Sequence, residues 1–436
     1  MAEKQSTRPE EVERFLKAHA AEAERFGADA ATGLGAVRRE ALSRFAEIGL
    51  PTRKDEDWRS TDLGPILRTS FRAPPATGTG SDSVRDLVDR SALEESCRLT
   101  FRNGRLDPTL SSLDPLPEGV EVGTLEDRVA ALTPGPRESE GSLALLNTAF
   151  FEQGVEITIR AGVEVARPIE LLFVADSPSD PMMIHPRLRI CLERGARACL
   201  LEQFVCTGGS ANLFNNVVLD VEIAEGAALE HTKLVDESPS TCHLATNNVR
   251  VDRDGHYGSQ VIELGGGLVR NELTVVLAAK GANCELDGLY SLSGKTHVDN
   301  HSRVDHAASN TTSRELYKGI LDGQSRGVFF GRIIVQQDSQ KIDAQQTNNN
   351  LLLSGEARAD STPQLEIYAD DVRCRHGSTV GRLDEKALFY LRSRGISEVA
   401  ARDLLIYAFA NEIVDRIRIP ALRERLAERL IRKGQP

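Results

Sequence analysis

The hydrophobic positions of the chain follow three successive patterns, and the first is helical. Apolar residues recur at intervals of three and four positions, first at Val12, Phe15 and Leu16 and then at Val37, Ala41, Phe45 and Ile48. This spacing predicts two amphipathic helices. Gly49 and Pro51 follow directly and are typical of the end of a helix.

The second pattern, from about residue 150 to 375, consists of short runs rich in β-branched and aliphatic residues. Examples lie at 155–159, 188–192, 217–223, 273–277 and 332–335, and such runs predict β-strands. Glycines recur between them at Gly162, Gly195, Gly226, Gly255 and Gly281. A repeat of strands and tight turns with a period of about 30 residues favours a β-solenoid.

A β-sandwich is the alternative architecture for this region. It predicts shorter hairpins with a turn every 8–12 residues or so, which suits the observed spacing less well. In a solenoid, the run from Asn348 to Asn350 suits stacked turns, where side-chain amides can bond to one another. We therefore expect a solenoid with these asparagines in its turns.

After Gly381 the helical pattern returns. Ser397 suits the N-cap of a helix, and Pro420 separates that helix from a last one marked by Leu422, Leu426 and Leu430. The sequence thus predicts a mainly β protein with a β-solenoid core and helical ends. We assign residues 1–145 to an N-terminal helical and mixed domain, 146–380 to the core and 381–436 to a C-terminal helical domain.

Charge and composition narrow the function. The net charge of −12 argues against nucleic-acid binding, because phosphate recognition needs a basic surface. The apolar stretch 273–279 is far shorter than the roughly 20 residues of a membrane span. Residues 1–6 lack the pattern of a secretory signal, so we expect a cytoplasmic protein that does not bind membranes. The seven cysteines form no Cys-x-x-Cys pair and are expected to be free thiols.

Several segments resemble the SufB/SufD family, and specifically its SufD branch. They are 49–58 (GLPTRKDEDW), 322–327 (DGQSRG), 331–335 (GRIIV), 345–353 (QQTNNNLLL), 363–367 (PQLEI), 374–384 (CRHGSTVGRLD) and 387–396 (ALFYLRSRGI). The similarity is nearly continuous from about residue 300 to 415 and extends more weakly to both ends.

The resemblance implies a right-handed parallel β-helix core that pairs with a SufB-type paralogue, and C-terminal helices that bind a SufC-type ATPase. It implies a non-catalytic scaffold that supports iron–sulfur cluster assembly and iron acquisition. An iron–sulfur cluster or iron would be bound transiently in the complex, and none in the isolated subunit. ATP hydrolysis would belong to the partner, since this sequence contains no Gly-Lys-Ser/Thr phosphate-binding motif. The residues leave open whether the isolated chain forms a homodimer and whether a flavin binds.

His376 and Cys374 are the candidate iron ligands. They lie two positions apart on a strand-like segment, so their side chains point to the same face. Imidazole nitrogen and thiolate sulfur both bind iron well. SufB has Cys-x-His-Glu here, whereas this chain has Gly377 in place of the glutamate. The resemblance favours His376 over Cys374. The structural alternative is that His376 caps the edge of the solenoid and Cys374 fills its core.

A second polar site comprises His297, Asp299 and His301, which share one face if the segment 297–306 is extended. Two imidazoles and a carboxylate can form a metal site. The alternative, which we favour, is a polar face of the solenoid whose imidazoles bond to carboxylates and backbone.

The candidate contacts for the ATPase are Ile396, Leu404, Leu405 and Phe409, which offer more apolar surface than a small helical cap buries. Two other classes of function compete with a scaffold. One is a metal-dependent hydrolase that uses the 297–306 cluster. The other is a carbohydrate-active solenoid enzyme, which needs paired carboxylates and sugar-stacking aromatics, whereas only 5% of these residues are aromatic.

Overall fold

The computed structural model describes residues 9–22, 33–74, 82–113, 116–125, 141–176, 180–208 and 212–432. The described helices are α1 Pro9–Ala21, α2 Gly33–Ile48, α3 Gly64–Leu67, α4 Asp82–Ser91, α5 Ser142–Phe150, α6 Glu385–Ser393, α7 Glu398–Val414 and α8 Pro420–Arg432, with a 3₁₀ turn at Glu56–Trp58. The described strands are β1 Cys97–Arg102, β2 Arg105–Leu106, β3 Val120–Thr124, β4 Gly154–Ile159, β5 Ile169–Ala175, β6 Met182–Ile184, β7 Arg187–Leu192, β8 Arg197–Cys206, β9 Leu213–Ile223, β10 Ala228–Asp236, β11 Thr241–Val251, β12 His256–Glu263, β13 Leu268–Leu277, β14 Asn283–Leu292, β15 His297–His306, β16 Thr312–Leu321, β17 Arg326–Val335, β18 Ile342–Leu352, β19 Arg358–Ile367 and β20 Val372–Gly381.

The strands build a parallel β-solenoid of about eight turns. The first sheet runs from β2 through β1 and β5 to β20, and the second runs from β3 through β4 to β19. Each turn adds one strand to each sheet in register, so that Ala228 pairs with His256 and His256 with Asn283. Parallel pairing of strands from successive turns confirms the solenoid and excludes the β-sandwich.

A continuous apolar interior between the two sheets explains the stability of the solenoid. In β9, Val217, Leu219 and Val221 face an apolar interior that they share with Leu229 of the first sheet. Each interior side chain stacks on its counterpart in the next turn, so a turn buries its inner face only against its neighbours. A fully buried aliphatic side chain of this kind contributes roughly 1.5–3 kcal/mol.

The turns between strands are where the sequence predicted them. Gly162, Gly195 and Gly226 adopt φ of 72°, 68° and 67°, a conformation that favours glycine. The asparagine prediction is wrong, because the run 348–350 lies inside β18. Asn348 and Asn350 face the interior, where the Asn350 amide donates to Asn348 Oδ1 at 2.7 Å. The amides do bond to each other, but they do so inside the solenoid and not in a turn.

The N-terminal helices pack on the outer face of the second sheet. Residues of α1, α2 and α5 share an apolar cluster with Phe214, Leu244 and Leu268 of that sheet. The two predicted helices are confirmed, and Gly49 follows α2 with φ of 63°. Strands β1 and β3 extend the two sheets into the segment 97–124. The sheets therefore begin earlier in the chain than residue 146, where the sequence analysis placed the start of the core.

The C-terminal helices divide into a packed part and a projecting part. Leu422 and Leu426 of α8 are buried against Leu234 and Ile262 of the first sheet. In contrast, α6 has no buried residue, and its main packing partner is α7. Within the described ranges, no helix combines the length and hydropathy needed to cross a membrane.

Candidate functional site: the open end of the solenoid

The two ends of the solenoid differ in how their sheets finish. At the N-terminal end, β2 and β3 add antiparallel strands to the two sheets. At the C-terminal end, β19 and β20 are the last strands, and no strand in the described part of the chain pairs with their outer edges. We call β19 and β20 the open end. Unpaired N–H and C=O groups of an edge strand form a template for pairing with another chain.

His376 and Cys374 both lie on β20, in the extended conformation that the sequence predicted. Cys374 is in register with Ala344 and His376 with Gln346, and both partners are buried interior residues of β18. The two side chains therefore continue the interior rows of the solenoid. At the open end His376 is exposed, whereas Cys374 is half-buried and packs against the apolar cluster that contains Ile342.

These two side chains fit part of an iron site. Burial raises the pKa of the Cys374 thiol, which disfavours the thiolate that binds metal. The exposed imidazole of His376 is the more accessible donor. Iron–sulfur clusters are usually held by four ligands, and among the described residues no three His, Cys, Asp or Glu side chains are arranged to hold a metal ion.

The interior row beneath His376 is polar. Gln346 donates through Nε2 to the carboxyl of Glu315 in the next turn, and Ser302 donates to the same carboxyl at 3.2 Å. Burial raises the pKa of Glu315 to about 7. Burial likewise raises the pKa of Glu263, deeper in the solenoid, to about 7. The open end thus leads to an interior that holds buried groups able to bind protons near neutral pH.

The second predicted site is a hydrogen-bonded polar face on β15. Asp299 is buried, with Arg270 Nη1 at 2.5 Å from Oδ2 and His301 Nε2 at 3.0 Å from Oδ1. Burial opposes ionisation of Asp299, but His301 and Arg270 outweigh it and hold the pKa of this carboxyl well below its usual range. The Arg270 guanidinium supplies the positive charge beside Asp299. A metal-dependent hydrolase would need three metal-binding side chains grouped here, and the described residues contain no such group.

This polar face also anchors the N-terminal segment. The Thr61 hydroxyl donates to Asp299 and lies 2.9 Å from His297 Nε2. The ring of Trp58 stacks on Arg270, with 3.7 Å between the guanidinium carbon and the ring centroid. His297 and Asp299 thus bind Thr61 and help to hold the preceding segment 49–58 against the second sheet.

The four predicted ATPase contacts occupy different environments. Leu404 is 48% exposed, whereas Ile396 and Leu405 are half-buried. Phe409 packs toward the solenoid, where Lys318 Nζ lies 4.6 Å from its ring centroid and donates to its carbonyl oxygen. Leu404 therefore presents more surface to a partner than Phe409 does, because α7 approaches β16 only near its C-terminal end.

Three further exposed apolar residues lie on α6 and in the first turn of α7, and the sequence analysis did not identify them. Phe389 is 73% exposed, Tyr390 57% and Val399 50%. We call Phe389, Tyr390, Val399 and Leu404 the helical patch. The adjacent aromatic residues of α6 could have indicated this exposed surface, because a helix of nine residues is too short to bury both rings.

Comparison with known families agrees with this architecture. The family model "SufBD protein N-terminal region" matches residues 9–171, and "SUF system FeS cluster assembly, SufBD core domain" matches residues 173–409. The iron–sulfur cluster assembly protein SufD of Escherichia coli K12 is 33% identical over 89% of this chain and 90% of its own length. An iron–sulfur cluster assembly SufBD family protein of Synechocystis is 30% identical, over 90% and 89%. SufD of Bacillus subtilis is 24% identical, over 69% and 68%.

The parallel solenoid with helical ends and the two family matches together define the class, a β-helical protein of the iron–sulfur cluster assembly system. The chain belongs to the SufBD family of iron–sulfur cluster assembly proteins, and SufD proteins are among its relatives.

Proposed function

We propose that the chain is the SufD-type subunit of an iron–sulfur cluster assembly complex and acts there as a non-catalytic scaffold. It pairs with a SufB-type protein through the open end and binds a SufC-type ATPase through the helical patch. His376 serves as a transient ligand or guide for iron, and the SufB-type partner supplies the thiolates. The cluster is cargo of the complex, so the isolated chain carries little or none.

The observation that carries this proposal is the exposure of the open end. Val380 is 51% exposed, although its register partner Asn350 is buried. Apolar side chains in the interior row of a solenoid are normally covered by the next turn. A partner strand laid along β20 would pair the free backbone edge and cover this row at the same time.

The chemistry of the two edge strands favours β20 for this pairing. Pro363 lies within β19 and has no backbone N–H to donate to a ladder. All ten residues of β20 retain their N–H groups. We therefore assign the strand-to-strand contact with the SufB-type protein to β20, and a side-chain contact to β19.

The helical patch supports ATPase binding because it is apolar, exposed and carried by α6 and the first half of α7, away from the end of α7 that packs on the solenoid. Deleting residues 396–436 would also uncover Leu234 and Ile262, which α8 buries. Point substitutions therefore separate binding from folding better than a truncation does.

Co-purification with the SufB-type and SufC-type proteins of the same organism tests the assignment of the patch. Leu404→Asp should remove the ATPase and retain the SufB-type protein. Ile431→Asp is the matched control, since Ile431 is 45% exposed on α8, outside the patch. Retention of the ATPase by Leu404→Asp at the level of the control would refute this part of the proposal.

A further inference from the structure

A pocket of about 420 Å³ lies apart from the open end, between the segment 53–68 and the turns that lead into β11, β13 and β15. Buried Cys242 and Leu268, near the starts of β11 and β13, form part of its lining. The pocket therefore lies where the N-terminal segment meets three successive turns of the solenoid.

The pocket is cationic, although the whole chain has a net charge of −12. Four of its lining side chains are permanent cations, namely Arg53, Arg68, Lys295 and Arg326. Arg326 pairs with Asp360 at 2.5 Å, whereas the other three form no ion pair with a described carboxylate. One carboxylate, Asp62, lines the pocket, and it already accepts the Gly64 N–H at 3.0 Å. A concave surface with this excess of positive charge concentrates anions.

Neutral donors accompany the cations. Ser240, Thr241 and Asn212 line the same pocket. Asn212 donates one amide hydrogen to the Thr69 hydroxyl at 3.3 Å, and the Ser240 hydroxyl lies 2.8 Å from that of Ser238. Phosphate oxygens accept hydrogen bonds from guanidinium, ammonium and hydroxyl groups together. Three cations that pair with no carboxylate in the described ranges match a doubly charged phosphate better than a single carboxylate. The apolar part of the lining, with Leu268 and Cys242, suits an organic group attached to that phosphate.

His297 also lines the pocket and connects it to the polar face on β15. The single Thr61 hydroxyl proton is donated to Asp299, so His297 Nε2 must donate to the Thr61 oxygen at 2.9 Å. The other ring nitrogen, Nδ1, is then unprotonated in the neutral ring. Burial lowers the pKa of His297. The charges of Asp299 and Asp360 oppose that shift, and those of Arg326 and Arg270 add to it.

We propose that this pocket binds a small organic phosphate, with Arg68 and Lys295 as the main anchors of the phosphate group. The negative charge of the ligand favours the protonated form of His297, so binding takes up protons at this ring. Since Thr61 and Asp299 share the network, an occupied pocket also strengthens the contact between the N-terminal segment and the solenoid. The site is independent of the scaffold role proposed above.

Calorimetric titration of the full chain at low ionic strength tests the site with three probes: inorganic phosphate, pyrophosphate and adenosine monophosphate. We expect saturable binding, tightest for a probe that carries an organic group. Arg68→Gln and Lys295→Gln should each weaken it about tenfold, because each removes a charge-assisted hydrogen bond. Lys280→Gln is the matched control, an exposed lysine in a turn outside the pocket, and should leave binding unchanged.

Two outcomes would overturn the proposal. One is the absence of measurable heat for all three probes up to about 1 mM. The other is binding that Arg68→Gln and Lys295→Gln leave at the level of Lys280→Gln. Nitrogen-detected NMR of His297 adds a readout that a merely structural role would not change. Saturating ligand should raise the pKa of the ring, whereas an unchanged pKa would exclude a ligand beside it.

Discussion

The two ends of the solenoid are built from the same alternating strands but differ in what covers them. Near the N-terminal end, Leu99 and Phe101 of β1 are at most 2% exposed, beside the added strand β2. At the open end, the corresponding interior row of β20 ends in exposed His376 and Val380. Since the alternation is the same, the difference reflects a missing neighbour and not a different strand type. The chain adds its own antiparallel strands at one end, whereas no strand in the described part of the chain covers the other.

The largest effect on stability is expected where the N-terminal segment packs on the second sheet. Trp58→Ala should lower the free energy of unfolding by about 3–5 kcal/mol, because it empties a buried site and removes the ring that stacks on Arg270. Tyr368→Ala at the open end, where Tyr368 is 60% exposed, should change it by less than about 0.5 kcal/mol. Thermal and denaturant unfolding of both variants measures the contrast, and equal losses would contradict it.

The next effect concerns association at the open end. Val380→Arg should weaken the pairing with the SufB-type protein about 100-fold or more, because it places an unpaired charge in a covered interface. Ile48→Arg, at an exposed apolar position on α2, should leave the pairing intact. Size-exclusion chromatography of mixed subunits reports the result. Normal pairing by Val380→Arg would mean that β20 is not the interface.

A smaller effect is expected from the buried carboxyl beneath the open end. The pKa of Glu315 is about 7 when folded and near 4.5 when unfolded, so the folded state holds the extra proton between these values. Glu315 alone should therefore lower the stability by about 2 kcal/mol as pH rises from 5 to 8. Glu315→Gln should remove this share and leave that of Glu263, whereas Glu366→Gln on β19 should remove neither. Parallel pH profiles of the wild type and Glu315→Gln would contradict the assignment.

Much of the fold could be predicted from local patterns, because runs of β-branched and aliphatic residues and glycine turns recur along the core. The asparagine run 348–350 was predicted in a turn, but an amide ladder suits a turn and the interior of a strand equally well. The contact that favours the interior is the hydrogen bond from Tyr290 in β14 to Asn350, and no local pattern reports it. The anchoring of Thr61 on Asp299 spans 238 residues of sequence, and no local pattern reports such a contact. The same limit applies to Phe409, whose inward packing depends on where α7 meets β16.

The candidate site was predictable only in part. The spacing of Cys374 and His376 indicated a shared face, but the different exposure of the two side chains depends on the end of the sheet. The sequence does not show which strand lacks a neighbour. The helical patch was only partly identified because the exposure of Phe389 and Tyr390 follows from the projection of α6.

The most direct test of the account is the iron and acid-labile sulfide content of the assembled complex that contains His376→Ala. Arg375→Ala is the control, since Arg375 is exposed on the same strand and points to the opposite face. We expect both variants to fold and to assemble with their partners, and His376→Ala alone to lose iron and sulfide several-fold. Wild-type iron and sulfide in an assembled His376→Ala complex would contradict the proposed role of His376 in iron binding and reduce it to a structural residue.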